Sequence, residues 1–352
     1  MTTHFRILYV EKNDTELIVL WDKAVKENAL PPQASYAWKT NLENIYGANA
    51  CALLAVDSEN NVAGFALVFF KKGEEVLYSC PHGFFAKNEA AAIALRDEIK
   101  AIAQKNNLRK TVITSGTLAL DLPTKQNGKA GLYLPLAYAD EEKLWLSIPN
   151  KTKNMIRKAD KAGITISYDW KHLDAFYAMY MDRCSEKSLG IKPLKHFQSI
   201  KNLFGDNAVF IGALQNKKLV AGMIFISAGT SVSYAYNASI INASSSGANN
   251  LLMWEAMRFF YRKAARYIDL SESTPGSPVY KFKMRLSKDI ECKEIHYYDF
   301  LSESEFAANR KISAALFFKY KVQGVLARLM PILPTFLKKK YLQYLGMNGR
   351  IM

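Results

Sequence analysis

A stretch of sequence near residue 50 recurs, without gaps, near residue 208. Residues 50–65 (ACALLAVDSENNVAGF) align on residues 208–223 (AVFIGALQNKKLVAGM) with five identities in sixteen positions and matched apolar positions. The same order of elements follows each copy: a second strand, near residues 76–79 and 232–236, then a long helix and another strand. Self-similarity of this kind indicates that one structural unit is used twice.

Helical periodicity completes the unit in both halves of the chain. The sequence predicts helices at residues 14–28, 88–106, 171–187 and 249–265. Asn13, with Glu16 three residues on, predicts a capping box for the first of them. Helices followed by antiparallel strands, a long helix and a further strand are typical of an α/β sandwich rather than a doubly wound parallel sheet. The pattern resembles the GNAT acyltransferase unit, so we expect an α/β (α+β sandwich) fold with two tandem GNAT-like domains. Each would hold a mixed, mainly antiparallel sheet flanked by helices.

The length of 352 residues also favours more than one domain, because compact domains usually run to about 100–200 residues. A composition that is 49% hydrophobic supplies enough apolar surface for two cores. We expect an N-terminal GNAT-like domain over residues 1–138, a C-terminal GNAT-like domain over residues 139–302 and a basic helical tail over residues 303–352. The four cysteines lie far apart and no histidine stands at metal-ligand spacing, so no metal is expected.

The tail carries most of the net charge of +15, because nine Lys or Arg residues and no acid follow Phe306. Residues 310–330 predict an amphipathic helix with an apolar stripe and basic residues opposite. Such a helix suits an anionic membrane leaflet, where each nearby basic residue adds about 1 kcal/mol of attraction. The sequence therefore predicts peripheral contact with the anionic inner membrane leaflet through residues 310–345. The alternative is that this helix packs on the first domain.

The first residues (MTTHFR) contain no basic region followed by an apolar stretch, which is the pattern of a secretory signal. No apolar run reaches the roughly 18 residues that a membrane span needs. We therefore expect a cytoplasmic protein, peripheral on the inner face of the cytoplasmic membrane.

Several short segments of the second half form a recognisable set: 144–147 (LWLS), 154–163 (NMIRKADKAG), 249–255 (NNLLMWE), 269–276 (DLSESTPG) and 280–283 (YKFK). Together they resemble the FemAB family, over about residues 144–300 and more faintly before them. In that family two domains bury an acceptor-binding cleft, and an acyl or aminoacyl group moves from a thioester or tRNA ester to an amine. The resemblance implies this reaction class, with acyl-CoA or aminoacyl-tRNA as donor and a phosphorylated or lipid-linked envelope or polysaccharide precursor as acceptor. The short stretch 161–170 leaves no room for the helical arm of some bridge-forming members.

The resemblance implies catalytic roles for Lys283 and Asp269. Lys283 falls where the family places a lysine facing acceptor phosphates or developing negative charge, and such stabilisation is usually a large catalytic term. The alternative is a solvated lysine in a basic protein. Asp269 would end a strand, where its carboxylate could orient an amine or pair with a nearby arginine. Family members often carry glycine and a basic residue in place of Ser271 and Glu272, a departure that leaves open a changed acceptor or a lost activity.

Tyr234 and Tyr236 alternate along a predicted strand, so that both would point to the same side of the sheet. Tyr236 is the candidate that would donate a proton to a leaving thiol or hydroxyl. The alternative is that both rings fill the protein core. The five histidines form no recognisable nucleophile–base pair and no G-x-S-x-G occurs, so covalent catalysis is not favoured.

A polar segment, residues 242–250 (NASSSGANN), lies between a predicted strand and a long helix. Free backbone N–H groups at such a helix start can hold a pyrophosphate, which makes Ser246, Gly247, Ala248 and Asn249 candidates for binding the donor. In the alternative interpretation the serines and asparagines cap the helix and Gly247 makes the turn without any ligand.

The candidates for binding the acceptor are Asn154, Arg157, Ser273 and Thr274. The first two share a face of the helix predicted at residues 151–162 with Lys153 and Lys161. Phosphate or nucleic acid could bind this basic face, although most charged helical faces are only solvated. The hydroxyls of the other two stand at the predicted strand end, where they could position an amine.

The main hypothesis is direct transfer without a covalent enzyme intermediate, with both reactants aligned in a splayed sheet. Two alternatives remain open at this stage. One is a tRNA-dependent aminoacyltransferase that builds peptidoglycan bridges, with tRNA as a partner. The other is a non-catalytic, membrane-associated assembly factor that keeps the duplicated fold for binding partners.

Overall fold

The computed structural model of this chain describes residues 5–115, 128–240, 243–301, 330 and 333–348. The chain divides into two compact units. Unit 1 takes Met1–Asn127, Ile295–Lys338 and Arg350–Met352, and unit 2 takes Gly128–Glu294 and Lys339–Gly349. Apart from Met330, the tail helix predicted at residues 310–330 lies outside the described residues.

The sheet of unit 1 is mixed. Its strands, within the described residues, are β1 (Arg6–Tyr9), β2 (Asn49–Val56), β3 (Val62–Phe70), β4 (Val76–Ala86), β5 (Lys110–Ser115) and β13 (His296–Tyr298). They lie in the order β1-β2-β3-β4-β5-β13. Only β4 and β5 run parallel among these described neighbours, and the other pairs are antiparallel.

Helices cover the sheet of unit 1 with their apolar faces. In the described part of the chain they are α1 (Thr15–Glu27), α2 (Tyr36–Tyr46) and α3 (Glu89–Lys105), with a short 3-10 helix at Pro32–Ala34. The side chain of Asn88 caps α3 by accepting the N–H of Ala91 at 2.9 Å. Leu95 and Ile99 of this helix are fully buried in the core, and burial of each such side chain contributes about 1.5–3 kcal/mol.

The capping box predicted at Asn13 and Glu16 is wrong. The N-cap of α1 is Asp14, and its side chain makes no capping bond to the helix. Its carboxylate instead accepts the N–H of Glu11 at 3.0 Å, so the side chain supports the preceding turn.

The sheet of unit 2 repeats this plan with one further strand. Its described strands are β6 (Ala130–Pro135), β7 (Thr165–Ser167), β8 (Ala208–Gln215), β9 (Lys218–Ala228), β10 (Ser231–Ser239), β11 (Tyr267–Ser273) and β12 (Glu291–Glu294). They lie in the order β12-β6-β11-β10-β9-β8-β7. Again one described pair, β10 with β11, is parallel.

Helices pack on both faces of the sheet of unit 2. The described ones are α4 (Glu141–Ser147), α5 (Asn150–Lys161), α6 (Leu173–Glu186), α7 (Leu194–Phe204), α8 (Ala243–Ser246), α9 (Ala248–Arg262), α10 (Pro278–Met284) and α11 (Thr335–Asn348), with 3-10 turns at Trp170–His172 and Gly205–Asn207. Residues of α5 and α9 share one core with Phe225 of β9. On the other face, Phe176 of α6 contacts Phe197 of α7 and Phe210 of β8. The part of α11 that belongs to unit 2 is held by Leu342, whose carbonyl accepts the N–H of Ile191 at 2.8 Å.

The two sheets confirm the duplication predicted from the repeat. Residues 50–65 and 208–223 form the hairpins β2–β3 and β8–β9, and β1 to β5 match β7 to β11 in order and direction. In each sheet, the strand that pairs with the far edge of β5 or of β11 comes from outside the repeated segment. β6 follows β5 in sequence but pairs with β11, whereas β13 follows β12 but pairs with β5. The predicted α/β class with two tandem GNAT-like units is therefore confirmed, and each unit is completed by a strand from beyond its own repeat.

Within the described residues, no helix combines the length and the apolarity needed to cross a membrane.

Candidate active site

Two neighbouring strands of unit 2 separate part-way along their length. β10 and β11 pair in parallel only from Ser231 with Tyr267 to Ser233 with Asp269. Beyond this point β10 continues to pair with β9, and β11 with β6. The two strands therefore leave an opening in their ladder beyond Ser233 and Asp269, as the hypothesis of a splayed sheet requires. Irregular backbone of this kind is a common place for a ligand to approach.

Both strands carry a β-bulge beside the opening. One lies between Tyr234 and Tyr236 of β10, and the other between Asp269 and Glu272 of β11. In the second bulge Ser271 has a φ of +62°, a left-handed conformation that favours glycine. A glycine would adopt this conformation without strain, and the serine adopts it here. Glu272 forms an ion pair with Lys129 of the same unit.

Lys283 lies against the bulge of β11. Ser277 begins α10 by accepting the N–H of Tyr280 at 3.2 Å, and Pro278 occupies the first helical turn. The last turn then carries Lys283, whose Nζ donates to Ser273 Oγ at 2.8 Å and lies 3.4 Å from the carbonyl oxygens of Ser271 and Glu272.

The charge of Lys283 is destabilised by its surroundings. The residue is 6% exposed. Burial lowers the pKa of Lys283 to about 8, and the charges of Asp269 and Glu272 offset only part of this effect. A buried lysine that titrates near neutral pH is typical of functional sites, although structural networks can also produce one. The predicted catalytic lysine thus lies in a chemically suitable place.

Asp269 is buried at the point where the strands separate. Its carboxylate accepts the N–H of Ser271 at 2.7 Å, a hydrogen bond that stabilises the bulge. Opposite it on β6 stands Tyr133, whose pKa is raised by burial and then by the charge of Asp269. The structure therefore brings together Asp269, Ser273 and Lys283, all three predicted from sequence, at the bulge of β11. Thr274, the remaining candidate of this stretch, is exposed just after the strand.

The prediction that Tyr234 and Tyr236 point to the same side of the sheet is wrong, because the bulge between them reverses the alternation. Tyr234 packs on Phe225, in the core shared with α5 and α9. Tyr236 faces the opposite layer, where its ring contacts Phe197 and its hydroxyl lies 2.7 Å from Nε2 of His196.

His196 is a buried partner that sequence reasoning missed. It is fully buried on α7, and burial lowers its pKa well below the usual range, so the imidazole is neutral. Burial also raises the pKa of Tyr236, which keeps its hydroxyl protonated. Because 40 residues separate the pair in sequence, no local pattern could reveal it. Tyr236 remains a candidate proton donor, on the face of the sheet covered by α6 and α7.

The loop predicted to bind the donor, within residues 242–250, is tightly packed around Gly247. Gly247 separates α8 from α9 with a φ of +83°, and a Cβ there would lie 2.1 Å from the carbonyl oxygen of Met155 in α5. Gly247 and Ala248 are both buried. Ser246 Oγ accepts the N–H of Ala248 at 3.3 Å, which is the capping interaction of the alternative interpretation. Asn249 donates to Ser239 Oγ at 3.4 Å, and among the described residues no donor reaches its buried Oδ1.

The basic face predicted on α5 is only partly exposed. Asn154 and Arg157 are exposed and hydrogen-bond to each other at 3.3 Å, and the guanidinium of Arg157 lies 5.8 Å from the ring centre of Trp145. Lys153 is buried, with its Nζ 5.4 Å from the centre of the same ring, and burial lowers its pKa. Lys153 therefore does not belong to the solvated face that helical periodicity predicted.

A cavity of about 430 Å³ opens beside the start of α9. Its volume lies within the range of ligand sites, which is roughly 300–1,000 Å³. Basic residues from α5 and α10 border it, and apolar residues form the rest of the wall. The lining residues are Lys151, Thr152, Met155, Asn250, Pro278, Lys281, Phe282 and Arg285.

Comparison with known proteins supports the resemblance seen in the sequence. The sequence profile described as the FemAB family matches residues 107–218, about a third of the chain. Comparison with curated proteins gives no match. The predicted likeness to the FemAB and tandem GNAT proteins is confirmed.

Solved structures share the fold over most of the chain. The crystal structure of FemX has a TM-score of 0.65 and 14% identity, covering 84% of this chain and 98% of FemX. A tandem GNAT protein from the clavulanic acid biosynthesis pathway has a TM-score of 0.54 and 11% identity, covering 84% and 99%. The C-terminal domain of a putative lysylphosphatidylglycerol synthetase from Agrobacterium fabrum has a TM-score of 0.54 and 11% identity, covering 83% and 94%. At these identities the likeness shows a common fold.

Proposed function

We propose that this chain is an acyltransferase that moves an acyl or aminoacyl group onto an amine of a cell-envelope or polysaccharide precursor. The FemAB match and the tandem GNAT-like fold support the reaction class. The observation that carries the proposal is the buried Lys283, with a pKa lowered to about 8, at a bulge where two strands separate.

In this proposal the acceptor nitrogen attacks the carbonyl carbon of the donor directly. A C–N bond forms, the C–S or C–O bond to the donor breaks, and the leaving thiolate or alkoxide takes up the proton that the amine gives up. The carbonyl oxygen carries negative charge in between, and the ammonium of Lys283 donates a hydrogen bond to it. Asp269 orients the amine, and alignment of both reactants supplies much of the acceleration, since effective molarities can reach about 10⁵–10⁸ M.

The donor in this proposal is acyl-CoA or aminoacyl-tRNA. Both carry a reactive carbonyl, as a thioester or an ester, on a molecule that also contains a phosphorylated adenosine. The opening between β10 and β11 would take the carbonyl end, and the cavity beside the start of α9 the phosphorylated end. Tyr236 would protonate the leaving group only if that group reaches the face covered by α6 and α7.

Contact with the inner membrane leaflet through residues 310–345 also belongs to the proposal. Of this segment, the described helix α11 leaves Phe336 and Tyr344 exposed, at 62% and 50%, on a helix that also carries Lys338 to Lys340. Exposed aromatic and basic side chains together favour the surface of an anionic bilayer. A lipid-linked acceptor would be reached from such a position.

The function is tested by offering the purified protein both donors. Acetyl-CoA or a mixture of charged tRNAs is incubated with extracted envelope precursors, and mass spectrometry follows the mass that each precursor gains. We expect one donor to be consumed with transfer to a precursor amine. If neither donor yields a product above the background of the heat-denatured protein, the chain is not the proposed transferase.

Replacing Asp269 by asparagine should separate its charge from its structural role. The amide oxygen of the new side chain could still accept the N–H of Ser271, so we expect the bulge and the melting temperature to be retained. Because the charge of Asp269 raises the pKa of Lys283, its removal lowers that pKa further. The pH at which transfer declines should therefore shift to lower values, which pH–rate profiles of wild type and Asp269→Asn would measure.

Asp269→Ala is the control that also removes the hydrogen bond, and it should lower the melting temperature. An unchanged profile in Asp269→Asn would exclude electrostatic coupling of the two residues.

A further inference from the structure

The cavity beside α9 is bordered by three cations and by no carboxylate. Lys151 comes from the first turn of α5, whereas Lys281 and Arg285 come from α10 and the residue that follows it. Among the described residues, none of the three side chains has a hydrogen-bond or ion-pair partner. Other basic residues of unit 2 behave differently: Arg258 and Arg262 both pair with Glu141. Converging cations without a protein partner raise the local concentration of an anion.

The remaining wall of the cavity limits the kind of anion. Met155, Pro278 and Phe282 supply an apolar surface, and Thr152 is buried with its hydroxyl donating to the carbonyl oxygen of Arg285 at 2.6 Å. A bare inorganic ion would leave the apolar surface without a partner. An anionic group attached to a ring or chain would cover this surface as well, because such sites combine apolar walls with a few polar groups.

The loop around Gly247, which sequence predicted to bind the donor, is poorly placed to bind an anion. Gly247 and Ala248 are buried, and the backbone at Gly247 is pressed against the carbonyl oxygen of Met155. That carbonyl would repel an anion. Asn250, in the first turn of the same helix, does reach the cavity, so the cavity adjoins the loop on its accessible side.

The cavity also adjoins the catalytic lysine of the proposed function. Phe282 lines the cavity, and the next residue, Lys283, points to the bulge of β11. A molecule with its phosphate in the cavity could therefore extend toward the opening between β10 and β11. This is the relation expected between the phosphate and the reactive carbonyl of a donor.

The geometry points to a phosphate-binding site made by Lys151, Lys281 and Arg285, which binds the nucleotide phosphate of the acyl donor. That the phosphate belongs to an acyl donor rests on the proposed function, whereas the site itself rests on the cavity and its cations. Coenzyme A and the CCA end of a tRNA share this chemistry, because each presents a phosphorylated adenosine. Arginine and lysine are the side chains that suit phosphate oxygens best.

Titrations with two probes test the site without any need for turnover. Coenzyme A is titrated calorimetrically, and a CCA-ended RNA minihelix is titrated by fluorescence anisotropy at several salt concentrations. The variants are the single changes Lys151→Gln, Lys281→Gln and Arg285→Gln and their combination. Lys158→Gln is the matched control, since it is an exposed lysine on α5 outside the cavity. Melting temperatures of all variants show whether the changed surface positions leave the fold intact.

We expect each single change to weaken binding of one probe about tenfold, and the combination to weaken it at least a hundredfold, with Lys158→Gln unchanged. If the RNA is the ligand, the slope of log K against log salt should also fall by about 0.7 for each phosphate contact removed from a single strand. If the changes weaken binding of coenzyme A alone, or of the RNA alone, the result supports the site and identifies which donor supplies the phosphate. Binding that survives the combined change, or a wild-type protein that binds neither probe, overturns the inference.

The inference and the proposed function fail in distinguishable ways. If phosphate binding depends on the three cations but no transfer occurs, the site stands and the proposed activity falls. If transfer occurs at the wild-type rate and affinity in the combined variant, the activity stands and the site falls. The single variants keep the test decisive if the combined one fails to fold.

Discussion

Lys283→Met should reduce the rate of transfer by a factor of about 10²–10³, which is the usual effect of removing one donor to a developing oxyanion. The same change should leave the melting temperature at pH 7 equal to that of wild type or above it. The physical reason is that Lys283 is buried and its charged form is penalised, whereas a methionine of similar length places no charge there. Loss of activity without loss of stability separates a catalytic group from a structural one.

The pKa of Lys283 determines the direction in which stability and activity should change with pH. The pKa of Lys283 is about 8 in the folded chain and about 10.4 in an unfolded one, so between these values the unfolded state binds more protons. The contribution of Lys283 to stability therefore rises with pH across this window. Wild-type activity should change in the opposite direction and decline as pH rises through about 8, because the ammonium loses its proton.

Melting curves and initial rates between pH 6.5 and pH 10 check both halves of the prediction for Lys283. Lys158→Met serves as the control, because it removes an exposed lysine of the same unit. Any stability advantage of Lys283→Met over wild type should shrink with rising pH, whereas Lys158→Met should follow wild type throughout. If Lys283→Met instead keeps its activity and melts at a lower temperature, the lysine only anchors β11 through Ser273 and the nearby carbonyls.

The parts of the fold that sequence predicted are those governed by local patterns. The hairpins β2–β3 and β8–β9 follow from residues 50–65 and 208–223, because alternation and turn residues act over a few positions. The helix predicted at residues 88–106 is α3, because Asn88 caps it and its apolar face repeats at the helical period. The FemAB resemblance, whose motifs include Lys283 and Asp269, led to two residues that lie near the same bulge.

What sequence did not predict depends on contacts between distant residues. Nothing in the local pattern shows that β6 leaves its neighbour β5 for β11, or that β13 pairs with β5. The bulge that turns Tyr236 toward His196 is one extra residue in a strand that otherwise alternates normally. No motif predicted a joint role for the three cations of the cavity, although Lys281 lies in the matching segment 280–283, because they come from parts of the chain that meet only in the folded unit.

Gly247→Ala should destabilise unit 2 by about 2–5 kcal/mol in all, through two causes. A φ of +83° is costly for a residue with a Cβ, by about 1–2 kcal/mol. The added Cβ would also lie 2.1 Å from the carbonyl oxygen of Met155, so α9 and α5 would have to move apart. Overpacking of this kind typically adds about 1–3 kcal/mol.

Gly163→Ala is the matched control for Gly247→Ala, because Gly163 has a φ of +69° and a Cβ added there would meet nothing within 4 Å. It carries the backbone penalty alone and should lose only about 1–2 kcal/mol. Urea unfolding of both variants measures the two free energies, and their difference isolates the contact between α9 and α5. Met155, Thr152 and Asn250 line the cavity, so separation of these helices should also weaken binding of coenzyme A or the RNA minihelix, which Gly163→Ala should leave intact. Equal losses in the two variants would mean that the backbone at Gly247 is not held against Met155, and an anion could then approach the loop itself.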